Sequence, residues 1–135
     1  MDIFELSTLI ENDLEEYVRI YLSQPKLTIE EREKLYEEIL KGNNDAKEQL
    51  LLSNLRLPIL MAKKYSKDID EFKEYLHAGN CALFEALDAF SYKKGSCFTR
   101  YANMLIKKSF DSRNVCNDIG HHCNIFNLLY FFTTV

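Results

Sequence analysis

The sequence predicts an all-α protein, a compact bundle of about five helices, and three observations predict it. Only four glycines and two prolines occur in 135 residues, Leu, Glu and Lys are abundant, and apolar residues recur at intervals of three and four. With 47% hydrophobic residues, the chain suits one domain or one domain with an appendage. We expect an N-terminal helix in residues 1–26, a helical domain in 27–113 and a divergent apolar tail in 114–135.

An amphipathic helix opens the chain. Apolar residues recur at intervals of three and four from Leu6 to Tyr21, and Asp2 or Ser7 is the expected N-cap. Pro25 follows the end of this helix, because proline lacks the backbone N–H that a helix needs to continue.

A second helix follows a short connection. Thr28 and Glu31 have the spacing of a capping box, in which each side chain accepts a hydrogen bond from the other residue's backbone. Gly42 is the expected C-terminal stop, and Leu35 and Ile39 are expected to point inward.

The third helix is predicted from a cap at Asn44 or Asp45 to about Tyr65. Pro58 lies inside it, where proline removes one backbone donor and clashes with the preceding turn, at a cost of about 3 kcal/mol unless the helix bends. We therefore expect a kink between Leu55 and Pro58.

Two further helices are joined by a short basic loop. The first spans residues 72–90 with Asp70 as its cap, and its opposite faces are apolar and polar. The apolar stripe consists of Phe72, Leu76, Leu83, Leu87 and Phe90. The inner line of the second helix consists of Phe98, Ala102, Leu105 and Ser109.

The loop and the start of the last helix combine cations with aromatic rings. Residues 92–101 read YKKGSCFTRY. Lysine and arginine neutralise phosphates, and a base stacked on an aromatic ring gains about 1 to 3 kcal/mol. The pattern indicates capture of a separated nucleic-acid strand. The alternative is that Phe98 and Tyr101 are core residues at helical spacing.

Several short motifs occur in a fixed order: Asn54-Leu55-Arg56-Leu57, Ala62-Lys63-Lys64-Tyr65, Gly79-Asn80, Leu83, Asp88-Ala89-Phe90, Tyr92, Gly95, Phe98 and Tyr101-Ala102. Their order and spacing resemble the second conserved region, with part of region 1.2, of bacterial RNA polymerase sigma factors of the sigma-70 family. The resemblance covers about residues 17–113 and implies the region 2 fold for residues 27–113. Regions 3 and 4 have no counterpart, so we expect a shortened protein: a truncated gene product, a fragment or one half of a split factor.

The resemblance implies a role in opening promoter DNA. In the family, this segment captures unpaired bases of the minus-ten element on the non-template strand. The DNA-binding residues implied here are Lys93, Lys94, Phe98, Arg100, Tyr101, Met104, Lys107 and Lys108. A second base pocket is implied at Asn54, Arg56 and Leu57.

Two departures from the family concern the rings. Primary sigma factors carry two consecutive tryptophans where this chain has Met104 and Leu105, and the chain contains no Trp. An aromatic residue common two positions before Phe98 is here Ser96. We therefore expect weaker melting or a different promoter sequence, as in an alternative sigma factor.

One face of the 72–90 helix matches the surface by which sigma factors hold the clamp coiled coil of the largest polymerase subunit. The matching residues are Glu74, His77, Asn80 and Phe84. Two positions differ, since the usual Gln is His77 and the usual Glu is Ala78, and we expect altered affinity for core polymerase. The alternative is a solvated face without a partner.

Charge is distributed unevenly along the chain. Residues 1–50 hold 13 acidic and 6 basic side chains, whereas residues 91–135 hold 6 basic and 2 acidic ones, within a net charge of -4. The acidic half is expected to meet a protein and the basic half DNA; the alternative is that both are ordinary solvated faces.

Other function classes lack a signal. The four cysteines follow no secretory spacing and the N-terminus does not read as a signal peptide, so we expect a reduced, cytoplasmic setting and no membrane. The apolar run 125–135 is too short to span a bilayer of about 30 Å. We expect neither a cofactor nor enzyme activity. A zinc site is disfavoured by the spacing of Cys116, His121, His122 and Cys123.

Two functional hypotheses follow. The first is a sigma-like transcription initiation subunit that binds RNA polymerase core and recognises and melts the minus-ten element, with an anti-sigma protein as a further expected partner. The second is a helical protein-interaction module, a degenerate or truncated sigma-like protein that binds polymerase without opening DNA. The missing tryptophans, Ala78 and the unusual tail favour the second.

Overall fold

The computed structural model describes the backbone of residues 3–119 and the side chains of residues 3–112. Within this part the chain forms seven α-helices and no strand, which confirms the all-α prediction. Two predicted helices are each divided in two, which accounts for seven helices where about five were predicted. In chain order the helices are α1 (Ile3–Asn12), α2 (Leu14–Leu22), α3 (Ile29–Leu40), α4 (Asn44–Asn54), α5 (Arg56–Tyr65), α6 (Ile69–Ala89) and α7 (Phe98–Ile119).

The first division lies at Asp13, so the prediction of one continuous N-terminal helix was wrong. Asp13 has non-helical backbone angles (φ -154°, ψ 80°), and its carboxylate accepts a hydrogen bond from the backbone N–H of Glu16 at 3.1 Å. An N-cap of this kind stabilises a helix start by about 0.5 to 2 kcal/mol. A new helix therefore begins at Leu14, and it ends at Leu22, before Pro25 as predicted.

The second division lies at Leu55 and explains how Pro58 is accommodated. Leu55 follows the end of α4 and α5 begins at Arg56, so Pro58 is the third residue of a new helix. The first backbone N–H groups of a helix have no partner within it, so proline removes no helical hydrogen bond there. The predicted kink between Leu55 and Pro58 is thus a break between two helices.

Both ends of α3 follow the sequence signals. The Thr28 hydroxyl accepts a hydrogen bond from the backbone N–H of Glu31 at 3.1 Å, as predicted. Gly42 lies beyond the C-terminal end with a φ of +90°, a conformation that glycine adopts without steric cost. Leu35 and Ile39 are only partly buried, whereas Tyr36 is 1% exposed and forms the buried side of α3.

Two other N-caps differ from the prediction. Asn43, and neither Asn44 nor Asp45, caps α4 through hydrogen bonds from two backbone N–H groups to its side-chain oxygen. Asp68, and not Asp70, caps α6. In both cases the chain becomes helical one or two residues earlier than predicted.

Helix α6 lies at the centre and packs against α1, α4, α5 and α7. Its predicted apolar stripe is confirmed: Leu76, Leu83 and Leu87 are buried, and Phe72 and Phe90 pack partly buried against them. On α7, the inner line includes buried Phe98 and Ala102, partly buried Leu105 and Ser109, and also buried Ile106 and Phe110. One hydrophobic core thus joins all seven helices.

Gly79 lets three helices approach closely. A Cβ atom at this position of α6 would lie 2.8 Å from Cβ of Pro58 on α5 and 3.3 Å from two ring atoms of Phe110 on α7. The first distance is shorter than carbon atoms normally tolerate, and both neighbours are held in the core. Any larger residue at position 79 must therefore push the helices apart.

We expect Gly79→Ala to lower the free energy of unfolding by up to about 2 kcal/mol. Overpacking a core costs about 1 to 3 kcal/mol, whereas alanine regains about 1 kcal/mol of helix propensity over glycine. Urea denaturation followed by circular dichroism measures the change. Glu85 is an exposed residue of α6. The difference in unfolding free energy between Glu85→Ala and Glu85→Gly therefore measures the helix propensity of alanine over glycine where no core packing is involved. A variant stabilised by the propensity value alone would show that the close approach is absent.

Candidate nucleic-acid interface

Residues 90–97 connect α6 to α7 and carry two exposed lysines, Lys93 and Lys94. The chain turns at Gly95, whose φ is +86°. The backbone N–H of Ser96 donates to the carbonyl oxygen of Lys93 at 3.1 Å, which closes this turn. A positive φ is rarely adopted by other residues, so Gly95 suits the turn, and both lysines lie at the entrance of α7.

A basic stripe continues along α7. Arg100, Met104, Lys107 and Lys108 are all exposed, and intervals of four, three and one residue place them on one side of the helix. Met104 is 56% exposed and interrupts the cations with an apolar surface. Asp111 continues the same side and adds one negative charge. The structure thus places four of the predicted DNA-binding residues on one side of α7.

Five rings, two of them from the loop itself, form a cluster with Phe90 at its centre. Edge-to-face and tilted pairs at such distances are favourable beyond the area that they bury. The ring centroid of Phe90 lies 5.7 Å from that of Tyr36, 5.1 Å from Tyr92, 5.4 Å from Phe98 and 5.4 Å from Tyr101. We call these five residues the ring cluster.

The two rings proposed to take bases differ in exposure. Phe98 is 0% exposed, which is the core position that its helical spacing also allowed. Tyr101 is partly exposed and leans on Phe90 at an angle of 41°. Of these two rings, only Tyr101 is therefore accessible to a base in this conformation, whereas Phe98 packs against Phe90 in the core.

Helix α3 contacts the loop directly, although none of its residues was predicted to belong to the DNA-binding site. The Tyr36 hydroxyl donates to the carbonyl oxygen of Ser96 at 3.2 Å and accepts from the backbone N–H of Phe98 at 2.9 Å. The Glu33 carboxylate accepts from the backbone N–H of Gly95 at 3.0 Å. Burial raises the pKa of Tyr36, so its hydroxyl keeps the proton that it donates. The one feature of the sequence that could have indicated this role is the aromatic Tyr36 among the charged residues of α3.

The side chains predicted to form a second base pocket are mostly buried or hydrogen-bonded within the protein. Asn54 is 6% exposed; its amide nitrogen donates to the carbonyl oxygen of Leu50 at 2.7 Å, and its oxygen accepts from the hydroxyl of Thr99 at 3.1 Å. Arg56 donates to the backbone carbonyl of Gln24 and is partly buried, as is Leu57. Asn54 therefore ties α4 to the first turn of α7.

Helices α1 and α2 cover part of the predicted polymerase-binding face. Asn80 is 1% exposed, and its amide nitrogen donates to the Tyr17 hydroxyl at 3.2 Å. The two ring nitrogens of His77 lie 3.5 Å from the Ser7 hydroxyl and 3.5 Å from the Glu11 carboxylate. Burial lowers the pKa of His77, and the Glu11 carboxylate partly opposes that shift.

The other two residues of this face are more accessible. Glu74 is exposed and Phe84 is partly buried. Cys81 lies on the same helix, where burial raises the pKa of its thiol to about 12, so the thiol remains protonated and unreactive at neutral pH. The face therefore offers one acidic and one aromatic side chain, separated by covered residues.

The described part of the chain has neither a metal-binding cluster nor a membrane-spanning helix. Residues 3–112 contain no group of three or more His, Cys, Asp or Glu side chains that could hold a metal ion. Cys116, His121, His122 and Cys123 lie outside the residues whose side chains are described. Among the described helices, none is both long and apolar enough to cross a membrane.

No protein-family model matches the chain, but curated proteins do. It is 34% identical over 103 residues to the RNA polymerase sigma factor SigA of Lactococcus lactis, a match that covers 71% of this chain and 27% of that protein. The SigA of Clostridium acetobutylicum is 33% identical over 100 residues, covering 71% and 26%. The sigma factor RpoD of Neisseria gonorrhoeae is 32% identical over 89 residues, covering 64% and 14%. The chain spans about a quarter or less of these relatives, and over about 100 residues it is a distant homologue of sigma-70-family RNA polymerase sigma factors.

Proposed function

We propose that this chain is a sigma-factor-like transcription initiation subunit that binds RNA polymerase core and captures the non-template strand of a melted minus-ten element. The observation that carries the proposal is the exposed basic stripe of α7 beside the partly exposed ring of Tyr101. Homology to sigma factors supports the transcriptional role. Residues 27–113 would form the region 2-like unit, with residues 1–26 as an N-terminal addition.

The dimensions of the basic stripe suit a short stretch of one strand. Arg100 and Lys108 are eight residues apart, which corresponds to about 12 Å along a helix. Successive nucleotides of a stacked strand are about 3.4 Å apart, so this length spans roughly three or four stacked nucleotides and fewer where the strand is extended. Lys93 and Lys94 add two exposed cations in the loop before α7.

The polymerase would contact α6 through Glu74 and Phe84 in the present conformation. Asn80 and His77 would join that contact only after α1 and α2 move, since Tyr17 and Glu11 hold them now. Glu74 and Phe84 are thus the accessible part of this face, and His77 and Asn80 are its covered part.

The second candidate is a helical module that binds polymerase without opening DNA. Two observations favour it: Phe98 has no exposed ring surface, and Met104 occupies a position where an aromatic wedge is implied by the resemblance. With one accessible ring, the protein would gain the stacking energy of one base, about 1 to 3 kcal/mol. Binding to core polymerase without selective capture of single-stranded DNA would identify this function.

We expect Tyr101→Ala to weaken binding of a fluorescent single-stranded minus-ten oligonucleotide by about five- to a hundredfold, in the presence of core polymerase. This is the loss of about 1 to 3 kcal/mol of base stacking, at 1.4 kcal/mol per tenfold. Fluorescence anisotropy measures it. Tyr101→Phe keeps the ring and is the matched control, so it should bind like the unchanged protein. Equal binding by all three proteins would contradict stacking at Tyr101.

Phe98→Ala is expected to act through stability, because the ring is fully buried. Truncating a buried phenylalanine typically costs about 3 to 5 kcal/mol, a large part of the stability of a small domain. Thermal unfolding should show a clearly lowered midpoint. A variant that unfolds normally but loses DNA binding would show instead that Phe98 leaves the core to meet a base.

Lys107→Ala and Lys108→Ala should each reduce the salt dependence of oligonucleotide binding. A phosphate contact to single-stranded DNA contributes about 0.7 to the slope of log affinity against log salt concentration, so each variant should lower the slope by about that amount. Lys41→Ala, an exposed lysine of the α3 end, is the control and should leave the slope unchanged. Unchanged slopes for all three variants would place both α7 lysines away from phosphate.

Glu74→Arg should weaken binding to core polymerase by about tenfold or more, because reversing a charge within an interface opposes the complementary surface. Glu37→Arg makes the same change at an exposed position of α3 and should bind normally. Biolayer interferometry with immobilised core enzyme gives both affinities. If Glu74→Arg and Glu37→Arg bind equally well, the α6 face is not the polymerase contact.

A further inference from the structure

Helix α3 holds the end of the loop and the start of α7 through hydrogen bonds to three backbone groups. Gly95 donates its backbone N–H to Glu33, Ser96 accepts from the Tyr36 hydroxyl, and Phe98 donates its backbone N–H to that same hydroxyl. These contacts join residues about 60 positions apart in sequence. They engage the backbone and leave the lysine side chains of the loop in solvent.

A third residue of α3, Arg32, contacts both of the side chains that make these hydrogen bonds. The Arg32 guanidinium lies 5.9 Å from the centre of the Tyr36 ring and within 3.8 Å of the Glu33 carboxylate. It also lies 3.9 Å from the Cys97 sulfur. A cation held over a ring and beside a carboxylate restricts both partners. The Tyr36 ring and the Glu33 carboxylate are therefore restricted in the unbound protein.

We infer that Tyr36, supported by Glu33, is a positioning residue for the nucleic-acid surface: it fixes the loop and the first turn of α7 in the conformation that grips a strand. This inference rests on the proposed function. Tyr36 reaches the surface by two routes, through its hydroxyl to the backbone of Ser96 and Phe98 and through its ring to Phe90, on which Tyr101 leans.

The physical gain is pre-organisation. When a loop samples many conformations, its apparent affinity for a ligand equals the intrinsic affinity multiplied by the fraction of time that the loop spends in the binding-competent conformation. Gly95 makes this loop intrinsically permissive, because glycine has the widest choice of backbone angles. The contacts from α3 remove that freedom in the unbound protein, so less conformational entropy is lost when a strand binds.

Tyr36→Phe tests the inference with the least disturbance. It keeps the ring in the ring cluster, changes no charge and removes both hydrogen bonds to the loop. Amide hydrogen exchange of the free protein should become at least several-fold faster at Ser96 and Phe98, and the affinity for the minus-ten oligonucleotide with core polymerase should fall about five- to tenfold. Glu33→Ala should accelerate exchange at Gly95, although the removed negative charge partly offsets its effect on DNA affinity.

Tyr17→Phe is the matched control, since it also removes the hydroxyl of a buried tyrosine but on the side of α6 that faces α2. It should leave loop exchange unchanged; the comparison is confined to exchange, because Tyr17 also covers Asn80 of the proposed polymerase contact. Unaltered loop exchange in Tyr36→Phe would overturn the inference, and so would faster exchange with unaltered affinity. If the unchanged protein binds core polymerase but no oligonucleotide, the proposed DNA capture itself fails, a result distinct from both.

Discussion

The close contact at Gly79 is the constraint on which the arrangement of α5, α6 and α7 depends. Because no side chain intervenes there, Pro58 and Phe110 can both touch the backbone of α6. Phe110 fixes the distal half of α7, and the ring cluster fixes its first turn. With both ends of this stretch held, the rotation of α7 about its own axis is set, and the side that carries Arg100 and Lys107 is left in solvent.

Local interactions made much of the fold predictable. The Thr28 cap, the Gly42 stop and the apolar stripe of α6 depend on residues within about four positions of one another, so spacing alone reveals them. The break at Asp13 was missed because Leu6 to Tyr21 keep a helical period on both sides of it. When a helix is interrupted by a single residue and the next helix continues with its apolar residues on the same face, the apolar spacing does not reveal the interruption.

The candidate site could be predicted only where the helical spacing of a residue determines whether its side chain is exposed. The cations of α7 fall opposite its buried line, and that opposition can be read from the sequence. The burial of Asn80 could not be read in this way, because an amide on a polar face becomes internal only when Tyr17, 63 positions away, covers it. The contacts of Tyr36 with Ser96 and Phe98 are equally remote in sequence. Spacing allowed both a core and a surface role for Phe98.

The cover over Asn80 would make α1 and α2 an intramolecular competitor of any partner that binds the middle of the proposed polymerase-binding face. They are tethered through residues 23–28 to the rest of the bundle, so their effective concentration stays high whatever the concentration of the protein. A macromolecule that reaches Asn80 has an apparent affinity equal to its intrinsic affinity multiplied by the fraction of molecules in which Tyr17 has withdrawn. Changes in the strength of the N-terminal docking would thereby tune partner occupancy without altering any residue that the partner touches.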